Sequence, residues 1–145
     1  MTTLANNAAG STMSTGSPTE LRTQPAQSVC HMIINRADNT ASTPAFMAPL
    51  NPGWRTITWQ EMYAQAEELA AGLLSLGVER EQRVGIASLT SLEWVLSTFA
   101  IWLSGGATTT IYAQTEPEEA AFILNDSKTV GLFAQNEEQL SLIHI

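Results

Sequence analysis

Apolar positions along this chain recur first at helical spacing and then in short β-rich runs, and the switches between the two mark its elements. Met62, Ala66, Leu69, Ala70, Leu73 and Leu76 share one helical face, with Gln65, Glu67 and Glu68 on others. Thr58 and Glu61 ahead of them have capping-box spacing, and Gly77 stands where a left-handed C-terminal residue is needed. These residues predict one amphipathic helix. Upstream, Val29–Arg36 mixes apolar and polar residues and predicts a short helix. Ala45–Ala48 and Arg55–Thr58 predict two short strands around Asn51-Pro52-Gly53, because Pro-Gly is strong turn chemistry.

Downstream the pattern alternates. Arg83–Ser88 predicts a short buried strand. Thr90-Ser91-Leu92-Glu93 repeats the capping-box spacing and opens a helix to about Ser104 that is apolar on nearly every side. Such a helix belongs inside a larger body. Gly105-Gly106 ends it, and Ala107–Tyr112 predicts the next strand. Thr115-Glu116-Pro117-Glu118 is a third box, opening a helix to about Asn125, and Thr129–Ala134 predicts a third strand.

Strand, helix, strand, helix, strand at this spacing implies parallel pairing through right-handed crossovers. The expected fold class is therefore α/β, a doubly wound, mostly parallel sheet. Three segments are expected. Residues 1–27 are rich in Thr, Ser, Ala, Asn and Gly, lack periodicity and should be a disordered tail. Residues 28–139 carry the α/β pattern. Residues 140–145 (Leu-Ser-Leu-Ile-His-Ile) break that pattern and equal one reading frame of a widely used sequencing adapter, which marks them as an artefactual tail. Sheets of this class are usually larger than three strands and covered on both faces. A nearly all-apolar helix and a strand edge without partners thus point to an incomplete domain.

The net charge is −8, from 14 acidic and 6 basic residues. The basic residues are scattered, so no positive patch exists to replace phosphate counterions, and nucleic acid is excluded as a partner. Cys30 is the sole cysteine, which rules out an internal disulfide. Beside His31 it is a half-buried small residue rather than half of a metal site. The N-terminus lacks a basic region followed by an apolar one, and no run is long enough to span a bilayer, so the expected location is cytoplasmic.

Motifs that carry chemistry are scarce. Ser104-Gly105-Gly106-Ala107-Thr108-Thr109-Thr110 precedes a strand rather than a helix, and no lysine follows in phosphate-loop register. It is a turn needing positive φ. The loop Ser88–Ser91 lies at a strand's carboxyl end, where open α/β sheets bind ligands, but its hydroxyls alone suit caps better. No Gly-x-Ser-x-Gly elbow accompanies His31 or His144. Glu67-Glu68 and Glu118-Glu119 are solvated faces, and Trp54, Trp59, Trp94 and Trp102 are core or interface residues. No catalytic, cofactor-binding or metal-ligating residue is assigned.

Three stretches together resemble the amino-terminal part of the AMP-forming acyl-activating (adenylate-forming) ligase superfamily. They are Trp54-Arg-Thr-Ile-Thr-Trp-Gln-Glu61 with Leu69–Val78, Arg83-Val-Gly-Ile-Ala-Ser-Leu-Thr-Ser-Leu-Glu-Trp94, and Ala100–Tyr112 with Ile123-Leu-Asn-Asp-Ser127. Thr90–Trp94 and Ile111-Tyr112 are most similar to the long-chain fatty acid–CoA ligases, although Thr110 stands where that branch usually has proline. The resemblance covers about residues 28–136.

It implies ATP-dependent activation of a fatty acid through an acyl-adenylate to acyl-CoA, with ATP, Mg²⁺ and CoA serving the full-length enzyme. The family's phosphate loop ending Pro-Lys-Gly, its acidic metal ligand, its ribose-binding Asp and its C-terminal lysine have no counterparts here. The isolated chain is therefore expected to be inactive and to bind no cofactor. Peripheral membrane association and oligomeric state stay open. Two alternatives stand: another carboxylic acid as substrate (aryl, short-chain or amino acid), or a non-catalytic α/β binding module.

Overall fold

Local sequence chemistry starts each element of the fold, and the computed structural model describes residues 27–141. Ser28 opens helix α1 (Val29–Asn39) by accepting the His31 amide on its hydroxyl. Strands β1 (Pro44–Pro49) and β2 (Trp54–Thr58) pair antiparallel around the Pro-Gly turn. Helix α2 (Trp59–Ser75) follows with no linker, because Thr58 ends the strand and caps the helix. Its hydroxyl accepts the Glu61 amide at 3.3 Å, while the Glu61 carboxylate accepts the Thr58 amide at 2.9 Å. The expected capping box is thus complete. Gly77 at φ +88° and Gly105 at φ +84° take the left-handed conformation expected at helix ends.

Strand β3 (Arg83–Ala87), helix α3 (Leu92–Leu103), strand β4 (Ala107–Ile111), helix α4 (Pro117–Asp126), strand β5 (Thr129–Ala134) and the short helix α5 (Glu137–Ser141) complete the chain. β3, β4 and β5 form a parallel sheet in the order β4-β3-β5. The chain steps from β3 to one side and then back across it to the other. With right-handed crossovers, reversing direction puts successive helices on opposite faces.

The packing shows this result. Val84 and Ile86 of β3 pack with Ala70, Leu73, Ala100 and Ile101 of α2 and α3 on one face. Ala87 and Ile111 pack with Ala120 of α4 on the other. The sheet is doubly wound, as the alternation implied. A third cluster, Ile57, Met62, Ala66 and Leu96, ties the β1–β2 hairpin to α2 and α3.

Two expected caps are corrected. Helix α3 is capped by Ser91, whose hydroxyl accepts the Trp94 amide at 3.2 Å, not by Thr90. Helix α4 takes Glu116 as its N-cap without any side-chain bond, so Thr115 caps nothing. Pro117 sets that frame. Its ring suits the first helical position, where its missing amide leaves no donor unpaired. A Thr115 cap would have placed it one residue later. The expected tail at 1–27 lies outside the described residues except for Gln27, as does 142–145 of the expected terminal artefact.

Candidate binding crevice at the sheet's carboxyl edge

Chain reversal around β3 leaves a gap at the carboxyl ends of β3 and β5, from which the following loops diverge. Open α/β sheets bind ligands at such switch points. A cavity of about 390 Å³ lies there, lined by Ile86, Ser88, Ser91, Glu93, Trp94, Ser97, Phe133, Ala134 and Gln135. Its floor comes from β3 and β5, and one wall from the first turns of α3.

The loop Ser88–Ser91 therefore does border a cavity, and a second polar group converges on it. Gln135, just past β5, accepts the Leu89 amide on its Oε1 at 2.9 Å, and its own amide donates to the Ala87 carbonyl at 3.0 Å. These bonds join two strand ends that lie 46 residues apart. Ser88 donates to the Leu89 carbonyl at 2.9 Å. Trp94 packs against the core cluster, as expected, and also forms a wall of the crevice. Sequence reasoning missed Gln135 and Ser97, which reach the site only through strand pairing and helix docking. The local signal for Ser97 was weak, since Thr98 beside it is a second hydroxyl in the same mostly apolar helix.

Electrostatics restrict what this site can hold. Glu93 is the only charged residue lining it. Arg83 and Lys128 lie at the opposite, amino-terminal edge of the sheet, where Arg83 donates to the Ser127 and Glu81 carbonyls. Arg36 lies over the Trp59 ring, 5.0 Å from its centroid, and Arg80 packs beside Gly105. The positive end of α3 already faces its own Glu93. The residues of the crevice therefore do not fit a nucleoside triphosphate.

The other sequence candidates stay apart. The Gly105-Gly106 run is a turn, and Thr108–Thr110 lie within β4. Among the described residues, no group of three His, Cys, Asp or Glu side chains could hold a metal. Burial pushes the Cys30 thiol up from its ordinary value. His144 lies outside the described residues. Glu67, Glu68, Glu118 and Glu119 are exposed, with Glu67 accepting the Tyr63 hydroxyl at 3.2 Å. Burial, then the Glu67 carboxylate, raises the Tyr63 phenol. No described helix is long and apolar enough to cross a membrane.

Residues 34–144 match the family described as AMP-binding enzyme. The chain is 30% identical over 107 residues to the long-chain-fatty-acid–CoA ligase ACSBG2 of Mus musculus, covering 74% of this chain and 16% of that protein. It is 37% identical over 90 residues to the long-chain-fatty-acid–CoA ligase FadD15 of Mycobacterium bovis, covering 62% and 15%. The fold superposes on the anthranilate CoA ligase AuaEII, solved with anthranoyl-AMP, at a TM-score of 0.71 and 28% identity, covering 86% of this chain and 23% of that one. The chain thus spans 15–16% of the length of these two curated relatives.

Proposed function

This chain belongs to the AMP-binding enzyme family, and from that premise we propose that it is the amino-terminal scaffold of an ATP-dependent fatty acid–CoA ligase. The family implies use of ATP. In the full-length enzyme a fatty carboxylate attacks the ATP α-phosphorus and expels pyrophosphate, with Mg²⁺ in attendance. The CoA thiol then displaces AMP to give the thioester. The observation that carries the substrate is the likeness to relatives named as long-chain-fatty-acid–CoA ligases. The contribution of residues 28–139 is structural: three parallel strands and two helical faces on which later residues assemble the site. The proposed setting is cytoplasmic, with membrane contact at most peripheral.

An aryl carboxylate is the second reading, favoured by the likeness to an anthranilate CoA ligase. Two measurements test the proposal. The purified 145-residue chain should give neither ATP–pyrophosphate exchange nor acyl-CoA from palmitate or anthranilate, and turnover by it would refute the scaffold reading. The DNA beyond codon 139 should encode a Ser/Thr/Gly-rich loop ending Pro-Lys-Gly. A genomic clone that encodes residues 140–145 and then a stop codon would refute both the artefact and the ligase setting. A longer enzyme assayed on both acids decides the substrate.

A further inference from the structure

Strand β5 enters the sheet out of step with the strand beside it. Thr129 lies opposite Arg83, but Gly131 lies opposite Val84, so Val130 is an extra residue between them. Bulges of this kind are rare between parallel strands. This one sets the face that each later side chain takes. Regular pleating would turn Thr129 and Leu132, an odd number of positions apart, to opposite faces. Here both approach one point: a Cβ on Gly85 would stand 3.4 Å from Thr129 Cγ2 and 2.6 Å from Leu132 Cδ1. Beyond the bulge, Leu132 packs on the α4 face, while Phe133 lies opposite Ile86 and packs on the α2–α3 face. A slip of one residue would exchange those faces.

The entry to β5 is held from β3. The Arg83 guanidinium donates from Nε to the Ser127 carbonyl and from Nη1 to the Glu81 carbonyl at 3.1 Å. Each carbonyl adjoins left-handed backbone at a residue that is not glycine: Glu81 itself at φ +64°, and Lys128, next after Ser127, at φ +53°. Such conformations persist where the surroundings fix them. The Ser127 hydroxyl donates to the Ile123 carbonyl at 2.7 Å and lies 2.8 Å from Thr129 Oγ1, so the gripped residue is tied to both α4 and β5. We propose that Arg83 is a positioning residue for the crevice. By fixing Ser127 against the amino end of β3 it sets the register of β5, and so decides which side chains line the crevice at the opposite edge of the sheet. Phe133 and Gln135 owe their places there to that register. Holding two carbonyls at once takes the planar fork of an arginine, which a lysine cannot reproduce.

Arg83→Met, which removes both donors, tests this in the 145-residue chain. Amide hydrogen exchange followed by NMR should quicken at least about tenfold in β5 and less than about twofold in β4, which pairs with the other edge of β3. The amide signal of Leu89, beyond the far end of β3, should shift as Gln135 lets go of it. Arg83 should also govern the effect of Gly85→Ala. Once β5 slips or detaches, Leu132 no longer crowds Gly85, so Gly85→Ala should lower the urea midpoint of the Arg83→Met chain by less than half of its drop in the parent. A merely stabilising Arg83 would leave that drop unchanged and quicken exchange in β4 and β5 alike. Either result would overturn the assignment, as would a Leu89 amide that stays in place. Arg83→Lys, which keeps the charge and loses the fork, should move all three readouts in the same direction, and it decides the matter if Arg83→Met fails to fold. The assay contains no ATP, CoA or fatty acid, so its failure would leave the ligase reading standing.

Discussion

Replacing Gly85 by alanine should destabilise the chain by about 1 kcal/mol. Gly85 is the middle residue of the central strand and faces α4. A Cβ there would stand 2.6 Å from Leu132 Cδ1, 3.2 Å from Leu124 Cδ2 and 3.4 Å from Thr129 Cγ2. The Leu132 methyl would have to retreat by most of an ångström to regain ordinary contact. Leu124 of α4 packs against the same cluster, which narrows the room for that retreat. Overpacking of this kind costs about 1–3 kcal/mol. Alanine recovers about 0.5–1 kcal/mol of backbone entropy relative to glycine, which leaves the net figure.

Urea unfolding followed by tryptophan fluorescence measures the effect, and the midpoint should fall with the slope unchanged. The cause can be isolated. Leu132→Ala removes the obstructing methyl, so in that background Gly85→Ala should cost much less or stabilise, a coupling of about 1 kcal/mol or more. The reasoning is refuted if Gly85→Ala is neutral in the parent chain, or if its cost is the same in both backgrounds.

The capping box gives a pH-dependent prediction. Hydrogen bonds first from the Thr58 amide and then from its hydroxyl hold the Glu61 carboxyl below its ordinary range. A depressed folded-state pKa stabilises above the unfolded value and stops doing so as pH falls through the folded one. The advantage of the parent over Glu61→Gln should therefore be full at neutral pH and vanish in acid, and urea midpoints across pH check it. Arg36→Ala should cost about 0.5–1 kcal/mol through the lost cation–π contact with Trp59. In a Trp59→Leu background, the same substitution should cost nearly nothing in thermal unfolding.

Element types were legible in the residues because each pattern was locally self-consistent. The α2 helix carried its cap, its apolar face and its terminal glycine within twenty residues; the cap and the glycine hold, and of the face Met62, Ala66, Ala70 and Leu73 are buried while Leu69 and Leu76 are exposed. The caps of α3 and α4 were legible only to within one residue. At α3, Thr90 and Ser91 are both competent hydroxyls, and the choice follows from where β3 stops and Gln135 grips Leu89 from a distant strand. At α4, the proline overrode a box that matched by spacing alone. The crevice was half visible. The loop Ser88–Ser91 could be placed at a strand end, but its partners Gln135 and Ser97 converge on it only once β5 lies beside β3.

The strand order β4-β3-β5 also has a consequence during synthesis. The central strand leaves the ribosome before either of its neighbours, so both of its hydrogen-bonding edges begin without a partner. The β1–β2 hairpin, α2 and α3 can assemble early, since their shared cluster lies within residues 57–96. β3 closes on its second side only after residue 134 has emerged, since β5 runs to Ala134. Long-range parallel pairing is slow, and an open strand edge is prone to pair wrongly while it waits. Early burial of Val84 and Ile86 under α2 and α3 gives the growing chain one covered face, so that only the edges of β3 wait for the rest of the polypeptide.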